Sequence, residues 1–259
     1  MTIKQIYDWL NAIAPFDTAE GFDNVGLLIG SYDAEVSDVL FGMDVTEALV
    51  AEAVQIGAQL IISHHPFIFN PIKRIDYDTP NGRILHSVMT NQISIIAAHT
   101  NWDKAPGGIC DSLAEILSLR DIVNGDEFLR IGTLLLPASP EALGKCIEDS
   151  LHIVPRCYGD AQAPITKVAV AGGAYGEAAN LAHELGAQAF VVGEIHHHEI
   201  LDACARGLVI YDAGHYATEF PGVAALHKRF IAENASNHPS VKAHLHLQAP
   251  FTGAVLAFA

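Results

Sequence analysis

Residues 58–66, AQLIISHHP, decide the fold. A short apolar run rich in β-branched side chains stops at Ser63 and is followed at once by His64, His65 and Pro66. The length suits a strand, and the lack of polar alternation suits one buried on both faces, as in a parallel sheet. The same unit recurs outward in both directions. VLFGMD (39–44), ISIIAAHT (93–100), IGTLLL (131–136), KVAVAGG (167–173), AFVVGEI (189–195) and GLVIYDAG (207–214) are further candidate strands. Segments of helical period separate several of them, including EALVAEAVQIG, GRILHSVMTNQ, GGICDSLAEILSL, EALGKCIEDSL and GEAANLAHELG. That alternation predicts an α/β protein with mostly parallel sheets covered by helices. MTIKQIYDWLNAIAP predicts an amphipathic N-terminal helix capped by Thr2 and stopped by Pro15.

The chain has 259 residues, long enough for one large domain or two lobes. RDIVNGDEFLR, near 120–130, is polar and turn-rich, and predicts a boundary between lobes 1–125 and 126–259. PRCYGDAQAPIT (155–166) predicts a long loop in the second lobe, and the tail HLHLQAPFTGAVLAFA predicts one or two strands that return to either lobe. With half its residues hydrophobic and only 17% charged, the chain is not a disordered acidic segment. A net charge of −16 disfavours DNA or RNA as a general partner. No run approaches the ~18 apolar residues of a membrane span, and no signal peptide is visible. Four cysteines without a C-x-x-C pair fit neither a thiolate zinc module nor a disulfide framework. A cytoplasmic protein with no membrane partner is expected.

Fourteen histidines equal the whole Lys plus Arg count, and several follow strand ends. His64 and His65 end one strand; His99, with Asp103 four residues on, ends another; Gly193-Glu194 and His196–His198 follow a third; His215 and Glu219 follow a fourth. Ligands bind outside the carboxyl ends of strands in open α/β sheets, so these side chains can converge. Imidazole with carboxylate and no thiol suits zinc, iron, manganese, cobalt or nickel. A carboxylate can bridge two cations about 3.5–4 Å apart, which predicts a dinuclear site. Each residue has a plainer explanation, since a lone strand-end histidine is commonly a hydrogen-bonded loop residue. The HHH run cannot all chelate one ion and reads as a solvated loop. His86, His152, His183, His227, His238, His244 and His246 receive no function. KVAVAGGAYGEAA has A-x-G-x-x-G, lacking the first glycine of a dinucleotide fingerprint, and a tight turn explains its glycines equally well. Lys73-Arg74 could hold a phosphate or simply be solvated.

SHHPFIF (63–69), HTNWD (99–103), GE (193–194) and AGHYATE (213–219) together resemble the GTP cyclohydrolase 1 type 2 homologs, the Ngg-interacting-factor-three-like dinuclear metal proteins. FDNVGLLIG (22–30) and MDVT (43–46) are similar to the family's opening pattern, with Phe22 where Trp is expected. The resemblance runs in order from residue 20 to about 220 and fits the short bacterial form. It implies two interlinked α/β lobes with two divalent metal ions per subunit in the cleft between them. The ligands it implies are His64, His65, Asp103, His215 and Glu219, with Glu219 bridging and His99 ligating or orienting. It further implies a homohexamer and a hydrolase acting on a small-molecule substrate, a purine nucleotide such as GTP. Glu194 and His99 are candidate proton donors. The alternative is a non-catalytic metal-binding or regulatory adaptor.

Overall fold

The structure is a computed structural model and describes residues 1–161, 163–234 and 238–247. In chain order it begins α1 (Ile3–Ile13), β1 (Gly26–Ile29), β2 (Asp38–Gly42), α2 (Glu47–Ile56), β3 (Leu60–Ser63), α3 (Pro80–Thr90), β4 (Ser94–Ala97) and α4 (Thr100–Lys104). Then come α5 (Ile109–Ile116), β5 (Arg120–Asn124), β6 (Arg130–Ala138), α6 (Pro140–Leu151), β7 (Arg156–Tyr158) and β8 (Ile165–Ala174). The rest is α7 (Ala179–Glu184), β9 (Ala189–Glu194), α8 (His197–Ala205), β10 (Val209–Asp212), α9 (His215–Asn234) and β11 (Lys242–Leu245). Among the described residues no helix is long and apolar enough to cross a membrane.

The chain packs as two compact units. One is Met1–Trp102 with the segment from Leu226 onward, and the other is Asp103–Ala225. This differs from the expected single boundary at 125/126. The polar stretch near 120–130 is not a linker: it forms β5 and the turn into β6, paired antiparallel within the second unit's sheet.

The first unit's sheet has the order β1-β4-β3-β2-β11. The four strands from β4 to β11 run parallel, and β1 lies antiparallel at one edge. Ile61, Ile95 and Leu40 project into a core with Leu49 and Val88, each nearly or fully buried. Full burial of a side chain of this size contributes about 1.5–3 kcal/mol, which explains why β3 and β4 carry no polar alternation. Thr2 caps α1 as expected: its hydroxyl accepts from Gln5 N, and the Gln5 carboxamide accepts from Thr2 N. β11 returns the chain to the edge of β2; the expected tail strand beyond 247 lies outside the described residues.

The second unit's sheet has the order β5-β6-β8-β9-β10-β7. Its centre, β8-β9-β10, is the parallel arrangement that the alternating apolar strands and helices predict. Antiparallel strands flank it: β6 and β5 on one side, β7 on the other. The expected loop at 155–166 therefore contains a strand. β5 and β7 are mostly exposed edge strands, so neither carries the continuous apolarity that marks a central strand.

Candidate metal centre

In the first unit the parallel register sets β2, β3 and β4 level. Gly42 pairs with Ser63, and Ser63 with Ala97. The ladder continues past the strand ends, with His64 N donating to Gly42 O, His65 N to Met43 O and Ala98 N to Ser63 O. His64, His65 and His99 thus emerge at one height. Their ring centroids are 5.0, 5.2 and 5.4 Å apart, and one nitrogen from each lies within 4.8 Å of the others. A regular strand would turn adjacent His64 and His65 to opposite faces. The strand has ended by then, and Ser63 Oγ donates to His65 O, folding the chain back locally.

Each ring is oriented from behind. His64 Nδ1 lies 2.9 Å from Ala98 O, His65 Nδ1 2.7 Å from Asp44 Oδ1, and His99 Nδ1 2.9 Å from Asp23 Oδ1. A carbonyl and a carboxylate only accept, so Nδ1 carries the proton in all three and Nε2 is the nitrogen left to present a lone pair. This is how metal-ligating histidines are usually held. Asp23 is itself fixed. Burial raises its pKa, but hydrogen bonds from His99 and Thr100 outweigh that and bring it down to about 2.

In the second unit β9 ends at Glu194, and α9 opens at His215. His215 and Glu219 share one face of α9, as their spacing predicts, with Nε2 3.2 Å from Oε1. Behind the ring, His215 Nδ1 meets Glu194 Oε1 at 2.9 Å, so Glu194 is an orienting carboxylate. The hydrogen bond with Glu219 favours the imidazolium; burial opposes it, but both carboxylates act the same way, and the His215 pKa rises to about 9. Glu219 is only 3% exposed, which a carboxylate tolerates when positive charge is near. Asp103 Oδ1 is also buried, and its carboxylate reaches within 4.8 Å of that of Glu219.

Two glycines make room for this cluster. Gly173 has φ +60°, and a Cβ there would run into Glu219 Oε1. A Cβ on Gly193 would meet Gly173 O and Thr218 Oγ1 at 2.6 Å, which accounts for glycine before Glu194. Thr218 Oγ1 accepts from Gly173 N and ties α9 to β8.

His196–His198 stand apart. They open α8, all exposed, with Glu199 accepting from His196 N. Among the described residues they enter no cluster of metal-ligand geometry. The residues missing from the sequence-based site are Asp23 and Asp44. Asp44 follows the end of β2 as the histidines follow β3 and β4, so the strand-end rule applied to β2 would have found it. Asp23 lies in a loop 76 residues from His99, and its one mark in the sequence is its place in the family-like stretch FDNVGLLIG.

Each set of donors suits borderline divalent cations: in the first unit imidazole nitrogens with fixed tautomers, in the second buried carboxylates with an imidazole. These groups could hold a metal ion.

The family model described as "Duf34/NIF3 (NGG1p interacting factor 3)" matches residues 1–246. A Clostridium perfringens protein named "GTP cyclohydrolase 1 type 2 homolog" is 34% identical over 230 residues, 85% of this chain and 88% of its own. The crystal structure of a Staphylococcus aureus hypothetical protein superposes with a TM-score of 0.90 at 28% identity, covering 97% of this chain and 98% of that one. A Bacillus cereus protein related to NIF3 gives a TM-score of 0.92 at 24% identity, over 96% and 98% of the two chains, and shares the fold.

Proposed function

The chain belongs to the Duf34/NIF3 family, and from that premise we propose that it is a dinuclear metal-dependent hydrolase acting on a purine nucleotide such as GTP. His64, His65, Asp103, His215 and Glu219 are its metal ligands in this proposal, with Glu219 bridging. The observation that carries it is the common orientation of the imidazoles. The Nδ1 atoms of His64, His65 and His215 each face a fixed acceptor, and a hydrogen-bonded loop histidine needs no such uniformity. Two divalent cations supply Lewis acidity and water activation near neutral pH. The chain's own residues do the rest. Asp44, Glu194 and the Ala98 carbonyl fix which nitrogen faces the ions, and the buried Glu219 carboxylate holds negative charge where cations are wanted. The choice of nucleotide rests on the printed name of the relatives. Cytoplasmic location and a homohexamer belong to the same proposal.

The test is metal content and turnover together. The purified protein should contain about two divalent ions per chain by elemental analysis. It should also show chelator-sensitive hydrolysis on a nucleotide panel, abolished in His64→Ala and Glu219→Gln. Full metal content in Asp103→Ala and His215→Ala would overturn the ligand assignment. Stoichiometric metal with no turnover on any nucleotide would replace the hydrolase by a non-catalytic metal-binding protein.

A further inference from the structure

The loop between β3 and α3 borders a half-open cavity of about 340 Å³, lined in part by Phe67, Phe69, Lys73, Arg74, Thr79 and Asn81. The chain carries 30 carboxylates against 14 Lys and Arg, yet two cations and no carboxylate line this cavity. Asp76 and Asp78 follow on the next turn, but neither lines it. Among the described residues neither Lys73 nor Arg74 makes a salt bridge, whereas Arg83 and Lys104 pair with Glu47 and Glu127. The first turn of α3 also forms part of the wall, and a helix N-terminus adds positive potential.

The loop is held at both ends. Asn24 Nδ2 donates to Ile68 O, and Thr79 Oγ1 donates to Asp76 O at 2.7 Å. It leads back to the histidines through aromatic rings. Phe69 lies 6.5 Å from His99 and 6.3 Å from Phe22, centroid to centroid, and Phe69 and Phe22 are both exposed. A surface with cations at one end, exposed aromatic rings beside them and a histidine cluster beyond suits a ligand that joins an aromatic ring to a phosphoryl tail.

We propose that this cavity is a phosphate-binding subsite in which Lys73 and Arg74 take the phosphoryl tail of a nucleotide while Phe69 supports its ring. The assignment of the ligand as substrate rests on the nucleotide hydrolase reading above. It also resolves an electrostatic difficulty: the net charge of −16 repels an anion at long range, so local unpaired cations are needed to hold one.

The test uses the full chain, stripped of metal by chelator, in isothermal titrations with GTP, pyrophosphate and guanosine at low salt. GTP and pyrophosphate should bind, with affinity falling as sodium chloride rises. In Lys73→Ala/Arg74→Ala both should weaken at least tenfold, while guanosine changes less than twofold. Phe69→Ala should weaken guanosine and GTP but leave pyrophosphate unchanged. Lys73 and Arg74 are exposed loop residues, so the double variant should keep the wild-type circular dichroism spectrum. Pyrophosphate binding that is absent in the wild type, or unchanged in the double variant, overturns the subsite. Failure of the hydrolase reading looks different: no chelator-sensitive turnover, with binding still dependent on Lys73 and Arg74.

Discussion

His64, His65 and His99 make one triplet of imidazoles, and His196, His197 and His198 make another. The second is the more conspicuous in sequence, being consecutive, yet its rings lie in solvent at the start of α8. The first is scattered over 36 positions and converges because β3 and β4 are parallel and in register. Exposure is one difference, and the acceptor behind the ring is the more useful one. In the scattered triplet every Nδ1 has a partner fixed to the sheet or to an adjoining loop. In the consecutive triplet, among the described residues, the one hydrogen-bond partner of a ring is Glu199, three residues on and part of the helix start. A histidine cluster is therefore recognised by what stands behind it.

The comparison is most easily broken at Asp44. Asp44→Asn keeps the shape but removes the charge facing His65, and metal affinity should fall about 10–100-fold. His197→Ala should leave affinity within twofold, although it removes a histidine from the densest run in the chain. Both are measured by competition against a chelating dye. Equal losses in the two variants would show that the acceptor carries no weight.

The same contrast sets what a sequence can show. Six strands were legible because burial on both faces leaves continuous apolar runs, and β6 because its run is apolar although Leu135 and Leu136 are exposed; the strand ends pointed to His64, His65, His215 and Glu219. β5 and β7 were not, because an edge strand exposes most of its side chains and loses the apolar signature. The layer behind the rings was the least legible part. Glu194 was visible beside the site, but its partner is 21 residues away, and a hydrogen bond to an imidazole leaves no periodic trace. The family resemblance named ligands; it took the geometry to show how they are aimed.

Gly173 sharpens the comparison from the carboxylate side. Gly173→Ala combines a left-handed backbone with a Cβ driven onto Glu219 Oε1, and should destabilise the protein by about 1–3 kcal/mol. Gly207 is the control: its φ is +85°, but a Cβ there meets nothing within 4 Å. Gly207→Ala should cost about 1 kcal/mol from the backbone alone. Urea denaturation measures both, and metal content should drop only in the Gly173 variant. If the two variants lose the same stability and both keep their metal, the close approach at Gly173 is not what shapes the cluster.

The smallest effect concerns a buried group near the carboxylate cluster that ligates nothing in the proposed site. The Cys110 thiol donates to Phe128 O, and burial, with the Asp103 charge, pushes its pKa up to about 12 from an ordinary 9. The folded state therefore keeps its proton where the unfolded chain has lost it. Stability from this source is complete below pH 9 and declines as pH rises towards 12, the sign required when the native state binds more protons. At pH 10 the loss is about 1.4 kcal/mol, one unit above the unfolded value. Tyr175 and Tyr211 are also raised above their ordinary value of 10, and the Cys157 and Cys204 thiols above 9, so between pH 9 and 10 the Cys110 share is the difference in slope between the wild type and Cys110→Ala. The urea midpoint of Cys110→Ala should fall less steeply across that window than that of the wild type, despite being lower overall because of the small cavity left. A thiol reagent at pH 8 should label exposed Cys146 at once and Cys110 only as the chain opens. Rapid labelling of Cys110 would mean that the packing around Asp103 is looser than a fixed carboxylate cluster requires.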